Sequence, residues 1–200
     1  TGEPAGIGVD IIVLAAPLLL DQQCVIIGNL SLLRARAQQL DRDIAFHSYQ
    51  QAGTSAKSIA VIDMPLALPV TPGCLAEENV PYVLNCLDLA IDGCLNNKFS
   101  AVVTGPVHKE IINRAGLNFS GQTEYFSKKC GNIPVVMMLA NQNLKIALVT
   151  THLALREVPQ AISSEKIMLA ATILYQDLKA KFHIPYPKIA LCGLNPHAGE

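Results

Sequence analysis

Two histidines hold comparable places in the chain. His152 closes the run Lys145-Ile-Ala-Leu-Val-Thr-Thr-His, and His197 closes Lys188-Ile-Ala-Leu-Cys-Gly-Leu-Asn-Pro-His. Each follows an apolar, strand-like run by a few residues. If the two runs are parallel neighbours, both imidazoles point into one crevice, and neutral imidazole is a common ligand of zinc and similar divalent ions. Two ligands are fewer than the three protein ligands typical of a catalytic metal centre. The long spacing is also not diagnostic, and a hydrogen-bonded loop histidine accounts for either residue alone. His47, His108 and His183 carry less weight; His183 lies near a helix end before Pro185, where a helix-terminus role suffices.

Three further segments offer polar groups at turns. Ala101-Val-Val-Thr-Gly-Pro-Val-His-Lys109 reads as a strand running into a Gly-Pro turn and a helix start. Ligands of open α/β sheets sit beyond the carboxyl ends of the strands, so Thr104 and Lys109 are candidates to line a cleft. A plain strand–helix connection with a solvated lysine accounts for them equally. Ser120-Gly-Gln-Thr-Glu124 places a hydroxyl, an amide and backbone donors at a helix start, suited to an anionic group; capping by Ser120 or Thr123 is the structural alternative. The opening Thr1-Gly-Glu-Pro-Ala-Gly-Ile-Gly8 puts glycines before a helix, where backbone N–H groups can approach an anion. Its spacing matches neither a dinucleotide-binding glycine motif nor a phosphate loop, and a tight strand-to-helix turn explains the same glycines.

The elements that must hold these groups alternate. Short apolar, β-branched runs predict strands at 24–28, 44–48, 59–62, 101–104, 135–139, 145–150 and 188–192, continuous enough to be covered on both faces. Helical patterns lie between them at about 7–20, 31–40, 77–97, 107–115, 123–130 and 163–182. In the last, Ser163 or Ser164 can cap a stripe of Ile167, Ala170, Ala171, Leu174 and Leu178. This order predicts an α/β fold with a largely parallel sheet. Pro65, Pro69, Pro72 and Gly73 break regular structure, predicting a loop or extended crossing at 63–73. The irregular stretch Gly116 to Gly121 predicts a domain junction, giving domains 1–118 and 119–200.

Composition narrows the function classes. Half of the 200 residues are hydrophobic, enough for a sizeable core. The charged fraction is 16% and the net charge −1, with no basic patch, so a nucleic-acid binder is not expected. No apolar stretch reaches the roughly 18 residues of a membrane span. The run Ile11–Leu20 contains Pro17 and lacks the basic start and cleavage site of a signal peptide. The chain opens on Thr, so its true N-terminus is expected upstream. Cys24, Cys74, Cys86, Cys94, Cys130 and Cys192 form no C-x-x-C pair, which predicts buried, reduced thiols in a cytoplasmic protein.

Five segments taken together resemble the signatures of one family, in the right order. They are Thr1–Gly8, Val103-Thr-Gly-Pro-Val-His-Lys109, Gly121-Gln-Thr-Glu124, Val149-Thr-Thr-His-Leu153 and Leu194-Asn-Pro-His-Ala-Gly-Glu200. The family is 4-hydroxythreonine-4-phosphate dehydrogenase. The resemblance implies two α/β/α lobes with a cleft, as in isocitrate and isopropylmalate dehydrogenases, in a homodimer that shares its active sites. By position, His152 and His197 resemble two of three metal-binding histidines, and Thr123 a substrate-contacting threonine. Gln122 stands where the family usually has a substrate-contacting histidine, and Val9 where proline is usual. The implied reaction oxidises 4-phosphooxy-L-threonine with NAD or NADP and then decarboxylates the product to 3-amino-2-oxopropyl phosphate, for vitamin B6 synthesis. It uses zinc, cobalt or magnesium, and histidine ligands favour the first two. Family members continue beyond the last motif, where the third histidine and much of the cofactor site are expected, so the 200-residue piece alone is expected to be inactive. The resemblance assigns no catalytic or cofactor-binding residue within these 200. The alternatives are a paralogue acting on threonate or erythronate 4-phosphate and, from another class, an acyltransferase-like or non-catalytic phosphate-binding protein.

Overall fold

The computed structural model describes residues 1–20, 22–49 and 58–198, and the chain divides into two compact units, Thr1–Cys130 and Gly131–Glu200. The first unit is built on a parallel sheet. Helix α1 (Gly8–Leu19) leads to strand β1 (Val25–Gly28), helix α2 (Leu30–Gln39), strand β2 (Ala45–Ser48) and strand β3 (Ser58–Asp63). The order is β1-β3-β2, all parallel, with Val25 opposite Ala60 and Ala45 opposite Ser58. Alternate strand residues Ile26, Phe46, Ile59 and Val61 point into one core against Val9, Val13 and Ala16 of α1 and Leu33 and Ala37 of α2. Those helix positions recur at three- and four-residue spacing, which gives each helix a single apolar stripe. Asn29 ends β1 and caps α2, its Oδ1 accepting from the Leu32 N–H at 2.9 Å. Between the two helices, buried Arg36 donates to Asp10 at 2.7 Å.

A second core lies around helix α3 (Val80–Leu95). Its Val80, Val83, Cys86 and Leu87 pack with Ile111 and Ile112 of α4 (Lys109–Arg114), with Phe119, and with the flank of α5 (Gln122–Lys129). Ile27 of β1 contributes from the other face of the sheet, so that strand is apolar on both sides, as its continuous run predicts. The proline-rich segment is extended, as expected, and is pinned by one buried side chain. Asn79 Oδ1 accepts from the N–H groups of Ala67 and Leu68, both at 3.0 Å, and its amide donates to the Leu68 carbonyl at 3.2 Å. Asp88 of α3 accepts from the Tyr125 hydroxyl at 2.6 Å and from the Lys129 ammonium at 2.7 Å. The expected boundary at 118/119 falls inside this unit: Phe119 is 4% exposed, and its ring lies 5.5 Å from that of Tyr125.

The second unit holds an antiparallel hairpin, β4 (Met138–Ala140) with β5 (Lys145–Ala147), then a short helix α6 (Val158–Ala161) and the long helix α7 (Ser164–Ala180). Asn141 Oδ1 closes the hairpin turn by accepting from the N–H groups of Asn143 and Leu144, both at 2.8 Å. Ser163 caps α7 by accepting from the Lys166 N–H at 3.3 Å. The anticipated α7 stripe is half-buried, and among the described residues of this unit only Leu178 is buried.

The six expected helices are present. Three expected strands formed as β1, β2 and β3, and the other four need correction. Residues 101–104 and 188–192 join no ladder, and 135–139 and 145–150 shrink to the short antiparallel pair. β-branched composition makes a segment fit a sheet but does not supply a neighbour. Val103 is 98% exposed and Leu191 70% exposed, so neither run has one among the described residues. The thiols are corrected too: all six cysteines are free, but Cys24, Cys74 and Cys192 are exposed and only Cys86 is buried. No helix of the described residues is long and apolar enough to cross a membrane.

The Asp88 contacts generate a stability prediction. Tyr125→Phe removes one bond to a charged acceptor and is expected to lower stability by about 1–2 kcal/mol. Asp88→Ala is expected to cost more, because the tyrosine and lysine lose their acceptor together. Urea denaturation of the two variants beside wild type checks the ranking.

Candidate functional site

Two turns of the first unit meet beyond the carboxyl end of β1. The opening segment 1–8 and the Gly105-Pro106 turn approach so closely that side chains are excluded from both. A Cβ on Gly2 would overlap the Pro106 carbonyl oxygen, and one on Gly8 or Gly105 would overlap the Thr1 carbonyl oxygen. Gly2 also holds φ +77°, which non-glycine residues rarely adopt. The Glu3 N–H donates to the Pro106 carbonyl at 2.9 Å and fixes the pair. At the strand end, a Cβ on Gly28 would strike the Thr1 side chain. The Thr1 hydroxyl shares a 2.7 Å hydrogen bond with the Tyr82 hydroxyl, which accepts from the Asn29 N–H at 3.1 Å. Burial pushes the Tyr82 hydroxyl well above the ordinary tyrosine range and raises the Cys86 thiol to about 11.

Glu3 is the buried titratable group that sequence reasoning missed. It is 5% exposed, and burial holds its carboxyl above the usual range; the Ala5 N–H, donating to Oε1 at 3.2 Å, and nearby His108 pull the other way. A carboxylate between Gly2 and Pro4 reads as a solvated turn residue, and only the packing of the second turn buries it.

The sequence candidates of this unit separate into those brought together and those left apart. The Gln122 amide donates to the Gly105 carbonyl at 3.1 Å, and its Oε1 accepts from the Thr104 hydroxyl at 3.4 Å. Thr123 follows as a half-buried residue in the first turn of α5. Gly121, extended at φ 171°, is the N-cap of α5 and no side chain caps it, so the capping alternative for Ser120 and Thr123 does not hold. The start of α5 therefore presents first-turn backbone N–H groups and the Thr123 side chain, with the Glu124 carboxylate in the same turn. Lys109 begins α4 and is exposed, while His108 caps that helix, accepting from the Ile111 N–H at 3.4 Å.

Both candidate metal histidines lie in the second unit, on exposed segments outside helix and strand. His152 follows β5 by five residues and sits at φ 57°, a left-handed conformation. His197 lies in a turn where its N–H donates to Asn195 Oδ1 at 2.9 Å. The last motif extends to Gly199 and Glu200, which lie outside the described residues. Among the described residues no group of three histidine, cysteine or acidic side chains is placed to hold a metal ion.

A parallel sheet with glycine turns and an uncapped helix start beyond its strand ends is the α/β class that binds ligands at such ends. Within that class the chain belongs to the pyridoxal phosphate biosynthetic protein PdxA family, which residues 20–200 match. It is 48% identical, over its whole length, to the 4-hydroxythreonine-4-phosphate dehydrogenase of Vibrio cholerae, of which it covers 62%. It is 46% identical to the Saccharophagus degradans enzyme of that name, covering 60% of it. The crystal structure of a 4-hydroxythreonine-4-phosphate dehydrogenase from Klebsiella pneumoniae superposes with TM-score 0.87 at 28% identity, over 99% of this chain and 62% of that one. The chain thus spans about three fifths of the length of these relatives, and its fold is the isocitrate/isopropylmalate-dehydrogenase-like α/β type that the motifs implied.

Two measurements test this geometry. Gly105→Ala puts a methyl group onto backbone and is expected to destabilise by about 1–3 kcal/mol, read from denaturation midpoints. The second concerns Glu3. The folded chain holds the Glu3 proton more tightly than the unfolded chain does, so this group's contribution is present at low pH. It is lost as pH rises from about 4.5 through the raised value. Glu3→Gln should therefore gain stability relative to wild type across that interval; parallel profiles for the two proteins would show that the carboxyl is not perturbed.

Proposed function

We propose that this chain is the substrate-binding and metal-binding part of an enzyme that oxidises 4-hydroxythreonine 4-phosphate with NAD or NADP and then decarboxylates the product. The supporting observation is the 48% identity that runs along the whole chain to a relative named for that activity. Gln122 and Thr123 are assigned to the substrate site at the start of α5, where first-turn N–H groups and the Thr123 hydroxyl can meet a phosphate or carboxylate. Thr104 and Lys109 are assigned to the border of that site, with Lys109 supplying positive charge from an exposed position.

His152 and His197 are assigned as two metal ligands. Their imidazole chemistry fits zinc or cobalt better than magnesium, and the set of ligands is incomplete among the described residues. When bound, a divalent ion supplies Lewis-acid chemistry for alcohol oxidation and loss of carbon dioxide. A cytoplasmic homodimer with shared sites is the assembly that accompanies this reading.

The test uses the longer protein that carries this chain. NADH or NADPH formation is measured with 4-phosphooxy-L-threonine beside threonate and erythronate 4-phosphates. The first compound should be turned over with the highest kcat/KM; preference for a sugar-acid phosphate would replace this reading with that of a paralogue. His152→Ala and His197→Ala should each lower bound metal and abolish turnover while the fold survives. Full metal occupancy in both variants would remove the ligand assignment.

A further inference from the structure

We propose that Gln122 acts as a positioning residue, a latch that holds the Thr104-Gly105 turn against the start of α5 and so sets the shape of the site that Thr123 presents. The inference rests on the substrate site assigned above and goes beyond it in giving Gln122 an indirect role.

Both ends of the Gln122 amide are engaged within the chain. Its Nε2 donates to the Gly105 carbonyl at 3.1 Å, and its Oε1 accepts from the Thr104 hydroxyl at 3.4 Å. One planar amide thus reads two consecutive residues with opposite hydrogen-bonding polarity, a donor to one and an acceptor from the other. A carboxylate of the same length would accept from Thr104 but set a negative oxygen against the Gly105 carbonyl. An aliphatic side chain of the same shape would make neither bond. The turn held in this way is the one whose Pro106 carbonyl accepts from the Glu3 N–H at 2.9 Å. Residue 105 is tied from one side by α5 and from the other by the glycine-permitted contact with Thr1. Residues 102 and 103 just before it are exposed and join no ladder, so backbone pairing does not hold the turn from that side. The Gln122 bonds therefore carry the lateral restraint. They also fix the side chain away from free rotation and leave the Thr123 hydroxyl and the first-turn N–H groups of α5 to meet the anion.

The test compares Gln122→Leu, Gln122→Glu and Thr104→Val with wild type in the longer protein, with two readouts. The first is amide hydrogen exchange at Glu3, whose N–H reports docking of the turn through Pro106. Loss of the latch should speed it by about three- to tenfold in Gln122→Leu and Gln122→Glu, and by less in Thr104→Val, which keeps the Gly105 bond. The second is steady-state kinetics with 4-phosphooxy-L-threonine. A latch acting through the turn should raise KM several-fold in Gln122→Leu, and adding Thr104→Val to that variant should have little further effect. Unchanged Glu3 exchange in Gln122→Leu would overturn the latch, and a raised KM with unchanged exchange would make Gln122 a direct ligand instead. If wild type turns over no phosphorylated hydroxy acid, the functional reading fails, while the exchange result still decides the latch.

Discussion

The first unit depends on one close approach, that of two backbone turns with no side chain between them. Thr1, Gly2 and Gly8 on one turn and Gly105 and Pro106 on the other occupy space that a single methyl group would fill. From this follow the burial of Glu3, the seating of Thr1 over the end of β1, and the position of the loop that leads into α4. The glycines thus serve the close approach itself. They let two chain reversals touch, and the polar groups around them take their places from that contact.

The division of the chain into two units sorts the candidate chemistry. Donors suited to an anion belong to the first unit, where the core around α3 packs against the helix that carries them. Imidazoles suited to a soft or borderline cation belong to the second, on exposed segments. The part with the larger core therefore carries groups whose direction matters, since hydrogen bonds fall off steeply with angle. The two histidines proposed as metal ligands sit on exposed segments outside helix and strand.

What the residues disclosed in advance follows the range over which each signal acts. Helices are specified by their own periodicity, so all six could be read, including the capping of α7 by Ser163. Strands 25–28, 45–48 and 58–63 were legible because their partners lie among their near neighbours in sequence. Residues 101–104 and 188–192 have the same composition but no ladder, and no local pattern can reveal a missing neighbour. In the site, motifs pointed to Gln122 and Thr104 separately, and only the folded backbone joins them. Glu3 escaped notice because its burial is the work of residues about a hundred positions away.

The thin core of the second unit has a consequence for energetics. With Leu178, at 7% exposure, its one buried side chain among the described residues, little apolar surface opposes local opening there. Its hydrogen-bonded turns should fluctuate open at free energies far below that for unfolding the two-cored first unit. Within these residues occupancy and order are linked by mass action, since anything that binds only the closed form shifts the balance toward it. Under the ligand assignment proposed above, the histidine-bearing segments would be the part of the chain whose conformational population a bound ion changes the most, and a chelator would then act on them as a denaturant of modest strength.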